Sequence, residues 1–130
     1  MRDVFDTSGV IIIVDDDRNI GSLLQRLLQN LVPNADIVYT PYSTEVFVHM
    51  DSRFVALVIT DYHMPGITGV EITREIKIRS PHTKVAALTG MVSSDIQQAF
   101  FAAGADFFLA KPIGLVELRD VLHRVFQENS

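Results

Sequence analysis

The sequence predicts an α/β fold built on a doubly wound parallel sheet, and three observations carry that reading. Apolar runs of four to six residues alternate along the chain with amphipathic stretches long enough for helices. The runs are almost continuously apolar, as strands are when both of their faces are covered. Capping and turn residues fall at the joints between them, and strict alternation of this kind requires crossover connections and hence parallel strands.

Each element follows from its residues. VIIIV (10–14) is an unbroken β-branched run and reads as a central strand. IGSLLQRLLQNL (20–31) sets Ile20, Leu23, Leu24, Leu27, Leu28 and Leu31 at helical spacing, and Pro33 closes it. ADIVYT (35–40) reads as a strand, TEVFVHMD (44–51) as a helix and VALVIT (55–60) as a strand. VEITREIKIR (70–79) is helical, KVAALT (84–89) extended, SDIQQAFFAAG (94–104) helical, DFFLA (106–110) extended and LVELRDVLHRVF (115–126) helical. Thr68 with Glu71, and Ser94 with Gln97, have the spacing of capping boxes. Gly104 stands where a helix would end in a left-handed turn. Residues 1–9 read as an N-terminal tail and 10–128 as one domain.

Composition excludes several classes. The 130 residues suit a single domain, and 48% hydrophobic with 21% charged residues suits a folded globule. No apolar run approaches the roughly 18 residues of a membrane span. Without cysteine there is neither a disulfide nor a thiolate metal site. The opening MRDVFDTSG has no apolar signal core, so a cytoplasmic location is expected, with no membrane partner. A net charge of −5 argues against direct nucleic-acid binding. The basic residues Arg74, Lys77, Arg79 and Lys84 read as a solvated helix end.

In open parallel sheets ligands bind beyond the carboxyl ends of the strands, so the residues that end each run are informative. These are Asp15, Asp16 and Asp17, then Asp61, Thr89 and Lys111, with the second strand ending in Thr40-Pro41. Two carboxylates about 5 Å apart repel by about 3 kcal/mol at an effective dielectric near 20, which a divalent cation reverses. An oxygen-only ligand set points to a hard ion, Mg2+ first, completed by water and phosphate. Asp61, fixed by its strand, is placed as a carboxylate nucleophile toward phosphorus, giving an aspartyl-phosphate. Lys111 and Thr89 would hold the oxygens of the transferred group.

Taken together, VDDD after the first strand, DYHMPGITG after the third, ALTG at the fourth and FFLAKP at the fifth resemble the receiver domain of two-component response regulators. The likeness runs over roughly residues 9–127. It implies the flavodoxin-like sheet order 2-1-3-4-5, with Asp61 as phosphoacceptor. It further implies Mg2+ bound by Asp15, Asp16, Asp61 and the backbone carbonyl of His63, and Lys111 as the phosphate-binding lysine, followed by a cis peptide to Pro112. Thr89 and Phe108 are implied as a switch pair. The implied partners are a histidine kinase or histidine phosphotransfer protein, a downstream output domain or protein, and a second copy in a phosphorylation-dependent homodimer. Such a domain catalyses its own phosphorylation and dephosphorylation without being a metabolic enzyme. Departures from the family pattern are Thr68 and Gly90, where Asp or Asn and Ala are common. His63 and Met91 occupy the positions flanking the hydrolytic water.

Other readings of the same residues stand beside this one. A haloacid-dehalogenase-like phosphohydrolase would use Asp15 as nucleophile and Asp17 as acid/base, leaving Asp61 without a role. A flavodoxin-like FMN carrier would need Ser, Thr and Gly amides where the first loop is acidic. A pseudo-receiver would dock without being phosphorylated. Singly, Asp17 reads as a helix cap, and His49, His82 and His123 as structural or solvated. Phe100 and Phe101 read as packing, while Phe107 and Phe108 must point to opposite faces.

Overall fold

The computed structural model describes residues 9–126, so the predicted tail, apart from Gly9, and the last two residues of the predicted domain lie outside the described residues. Ten elements alternate without exception: β1 (Val10–Val14), α1 (Arg18–Leu31), β2 (Asp36–Thr40), α2 (Thr44–Ser52), β3 (Val55–Thr60), α3 (Gly69–Arg79), β4 (Lys84–Thr89), α4 (Ser94–Ala102), β5 (Phe107–Ala110) and α5 (Leu115–Phe126). All strand pairs are parallel, and the sheet order is β2-β1-β3-β4-β5, as predicted.

Strand alternation divides the core into layers. Ile11 and Ile13 of β1, with Leu57, Ile59, Ala86 and Leu88, face α1 and α5 and pack on Leu24, Leu28, Leu118 and Leu122. Val10, Ile12 and Val14, with Val58 and Val85, face the other way against Val46 of α2 and Ile72 and Ile76 of α3. A smaller cluster of Val70, Ala87, Phe100, Ala103 and Ala105 seats α4. Phe107 joins the α1/α5 layer and Phe108 the α4 cluster, so the two rings do take opposite faces.

Helix ends depart from the sequence reading in instructive ways. α1 begins at Arg18, two residues before the apolar pattern, because the Asp17 carboxylate accepts from the amides of Asn19 and Ile20. The box predicted for Ser94 and Gln97 is not formed. Ser93 caps α4 instead, with extended backbone and its Oγ accepting from the Ile96 amide at 3.2 Å, which makes Ser94 the first helical residue. α4 also stops at Ala102 rather than 104, and Gly104 takes the left-handed turn expected of it at φ 109°. At α3 both halves of the Thr68–Glu71 box are present.

The basic cluster is partly solvated as expected: Arg74 and Arg79 are exposed, while Lys77 and Lys84 are half-buried. Lys77 pairs with Asp106 at 2.8 Å and donates to the Thr83 carbonyl. Arg79 pairs with Glu75 and lies 4.4 Å over the Phe47 ring. No helix among the described residues is long and apolar enough to cross a membrane.

The cap assignment at α4 is directly testable. Ser93→Ala is expected to cost about 1 kcal/mol of stability in denaturant titration. Ser94→Ala should stay within about 0.5 kcal/mol of the unsubstituted protein. The reverse order would restore Ser94 as the cap.

Candidate functional site

Register builds the site. Val14 of β1 lies beside Thr60 of β3, so the next residue of each strand, Asp15 and Asp61, leaves the sheet side by side. Both are still tied to it: the Asp61 amide donates to the Val14 carbonyl and the Asp15 amide to the Thr40 carbonyl of β2. On the far side, Thr89 pairs with Ala110, and the Lys111 amide donates to the Thr89 carbonyl at 3.1 Å. The sheet thus delivers two acids and a lysine to one rim through main-chain bonds.

The side chains then converge. The Lys111 ammonium lies 2.8 Å from Asp15 Oδ2 and 2.9 Å from Asp61 Oδ2. The second oxygen of Asp61 accepts from the Tyr62 amide at 2.6 Å, and that of Asp15 from the Asp17 amide at 2.9 Å. Asp15 and Asp61 are buried while Asp16 is exposed, and one carboxylate oxygen from each of the three lies within 4.8 Å of the others. Three oxygen donors, two fixed and one facing solvent, form a set that fits a hard divalent cation with part of its water shell retained.

Burial and charge oppose each other here. Burial raises the Asp15 carboxyl above its ordinary value, against the pull of Lys111. The same burial works against the Lys111 charge, but hydrogen bonds to Asp15 and Asp61 and their negative charges outweigh it and raise its pKa. Both values rise, with opposite effects on charge: Lys111 is held charged by two acids, whereas burial disfavours the charge of Asp15, which shares one cation and faces Asp61. A raised lysine adds stability that is complete below about 10.5 and is lost as pH climbs through the folded-state value.

The other predicted residues take separate places. Thr89 is buried, and its Oγ accepts from the Met91 amide at 3.0 Å. Phe108 is half-buried, its ring 5.9 Å from Phe100 and 6.4 Å from Phe101. His63 is exposed, edge-on to Tyr62. Lys111-Pro112 is cis. One carboxylate oxygen of Asp17 accepts from the α1 amides, the helix-cap role expected of it. Phe100 is core as expected, but Phe101 is 45% exposed.

Gly69 was not singled out by the sequence reading. A Cβ there would stand 1.9 Å from the Asp61 carbonyl oxygen, so only glycine lets the start of α3 close against the site. A glycine opening a helix, where most residues are better formers, was the available signal.

With this geometry in view, the comparisons are decisive. The profile of the response regulator receiver domain matches residues 11–123. The chain belongs to that family. It is 29% identical over 111 residues to the cyclic di-GMP phosphodiesterase response regulator RpfG of Xanthomonas campestris pv. campestris, covering 84% of this chain and 29% of that one. To stress response regulator protein 1 of Debaryomyces hansenii it is 31% identical over 105 residues, covering 78% and 43%. The receiver domain therefore spans under half the length of either relative. Its structure is similar to the solution structure of the beryllofluoride-activated NtrC4 receiver domain dimer, with a TM-score of 0.84, 26% identity, and coverage of 93% and 98%.

Removing the shared cation tests the balance of charge. Lys111→Met should lower metal-free stability at neutral pH by about 3 kcal/mol, since it strands two buried carboxylates. Mg2+ should restore part of the loss, and the alkaline fall in stability tied to Lys111 should vanish from the pH profile.

Proposed function

We propose that this receiver domain accepts a phosphoryl group on Asp61 from a histidine kinase or histidine phosphotransfer protein, in a Mg2+-dependent reaction, and signals by a change of conformation. The observation that carries this is the Asp61 carboxylate, fixed at the end of β3 with Lys111 on one oxygen and an amide on the other. Asp15, Asp16, Asp61 and the backbone carbonyl of His63 would hold Mg2+. When bound, it would neutralise charge on the acids and on the incoming phosphoryl oxygens.

In the transfer, an Asp61 carboxylate oxygen attacks phosphorus. The new P–O bond forms as the P–N bond to the donor imidazole breaks, and the electron pair leaves with that ring, which takes up a proton. Lys111 gives up part of its contact with the acids to hold a phosphoryl oxygen, and the Thr89 hydroxyl turns from the Met91 amide to another. Attack of water on the same phosphorus returns the free carboxylate. The domain works in the cytoplasm as a signalling unit, not as a metabolic enzyme.

The output would run through Thr89 and Phe108. Movement of Thr89 toward the rim opens space beside β5 that Phe108 fills, reshaping the face of α4, β5 and α5. That face would meet a downstream output domain or protein, or a second copy. The likeness to an activated receiver dimer supports the homodimer as one form of it.

Two experiments check this reading. Acetyl phosphate with Mg2+ should add one phosphoryl group by mass spectrometry, and Asp61→Asn should abolish it. Labelling at Asp15 would favour the hydrolase, and no labelling a pseudo-receiver that only docks. Beryllofluoride with Mg2+ should shift NMR resonances across residues 90–115, and Thr89→Ala should blunt those shifts while phosphorylation continues. Shifts confined to the acid cluster would sink the relay.

A further inference from the structure

β2 sits at the edge of the sheet, yet it holds the metal-site loop by two consecutive residues. The Thr40 carbonyl accepts from the Asp15 amide at 3.3 Å. One residue earlier, the Tyr39 hydroxyl donates to the Asp15 carbonyl at 2.7 Å. The main-chain donor and acceptor of Asp15 are therefore both fixed by β2. The peptide unit fixed by Tyr39 is the one that joins Asp15 to Asp16, the two loop acids of the cluster.

The ring reaches that carbonyl only because of a second residue. Tyr39 stands opposite Ile13 and points to the α1 side of the sheet, where its ring lies along the helix at Gly21. A Cβ on Gly21 would stand 2.1 Å from Tyr39 Cε1 and 2.5 Å from Cδ1 and Cζ. Gly21 is otherwise a poor choice in a leucine-rich helix, where alanine is the better former. It is explained by the room it leaves for the ring.

We propose that Tyr39 is a positioning residue for the divalent-cation site, with Gly21 as the gap that admits it: its hydroxyl orients the Asp15–Asp16 peptide, and so the angle at which both carboxylates meet the ion. This rests on the reading that Asp15, Asp16 and Asp61 hold Mg2+. A group one bond removed from the ligands acts by limiting their orientations, and loss of such partners weakens metal affinity by about tenfold or more.

The test uses Tyr39→Phe, which keeps the ring and its packing and removes only the hydroxyl. Mg2+ titrations followed by NMR should show binding about tenfold weaker than in the unsubstituted domain. The melting temperature without metal should change little. The Asp16 amide nitrogen should shift in metal-free protein, because its peptide loses a hydrogen bond at the carbonyl. Phosphorylation by acetyl phosphate should be slowed at low Mg2+ and recover at saturating Mg2+. Gly21→Ala should weaken Mg2+ binding in the presence of Tyr39 but have no further effect in a Tyr39→Ala background. Equal Mg2+ affinity in Tyr39→Phe and the unsubstituted domain would overturn the proposal and leave the metal site standing. Absence of Mg2+ binding in the unsubstituted domain would overturn both.

Discussion

Three carboxylates drawn to one edge of a sheet repel one another, and the Lys111 ammonium lying between Asp15 and Asp61 is what makes that arrangement foldable. Both of those acids are buried, where a charge without a partner is costly. Lys111 cannot satisfy every oxygen at once, so the fold adds the Tyr62 amide for Asp61 and the Asp17 amide for Asp15. Asp16 stays in water and needs no such help. The cluster is thus tolerable without a metal and still unbalanced by charge, which leaves room for a weakly held cation. A site satisfied more fully by protein groups would have no affinity left for an exchangeable ion or phosphoryl group.

Topology explains why these residues meet. The chain leaves β1 toward β2 on one side and continues from β3 on the other, so the carboxyl ends of β1 and β3 flank the point where the sheet order reverses. Asp15 and Asp61 project there because each follows a strand residue locked in register, Val14 and Thr60. Lys111 arrives from the opposite edge through β5, anchored to the last residue of β4. The acids therefore depend on the central strands and the cation on the edge, so a disturbance of β5 changes the charge balance without disturbing the acids' backbone.

Most of this was legible in the sequence because buried parallel strands advertise themselves as unbroken apolar runs, and the rim is whatever comes next. Asp61, Lys111 and Thr89 could be picked out for that reason. Helix boundaries were less legible: adjacent serines at 93 and 94 offer the same chemistry, and only backbone conformation decides which one caps α4. Least legible were residues whose meaning lies in a neighbour distant in sequence. Gly21 looks like a flaw in α1 until the Tyr39 ring is placed against it, and Gly69 looks like a poor helix start until the Asp61 carbonyl is seen. Phe100 and Phe101 are identical letters with opposite fates, one core and one surface, because α4 has a narrow buried face.

That narrow face has a dynamic consequence. Phe100 is the only residue of α4 that is fully covered, so the helix is held to the domain by little apolar surface and belongs to its less stable parts. The Phe100 ring is 6.2 Å from Tyr62, whose amide holds Asp61, and 5.9 Å from Phe108 on β5. A single side chain therefore touches both the neighbour of the candidate phosphoacceptor and the candidate switch aromatic. Contact alone does not make a relay, since coupling requires an element with two arrangements that both ends bias. α4 is suited to be that element, because its light anchoring makes a second arrangement inexpensive. The packed layers around α1, α3 and α5 would resist the same displacement, and so serve as the frame against which α4 moves.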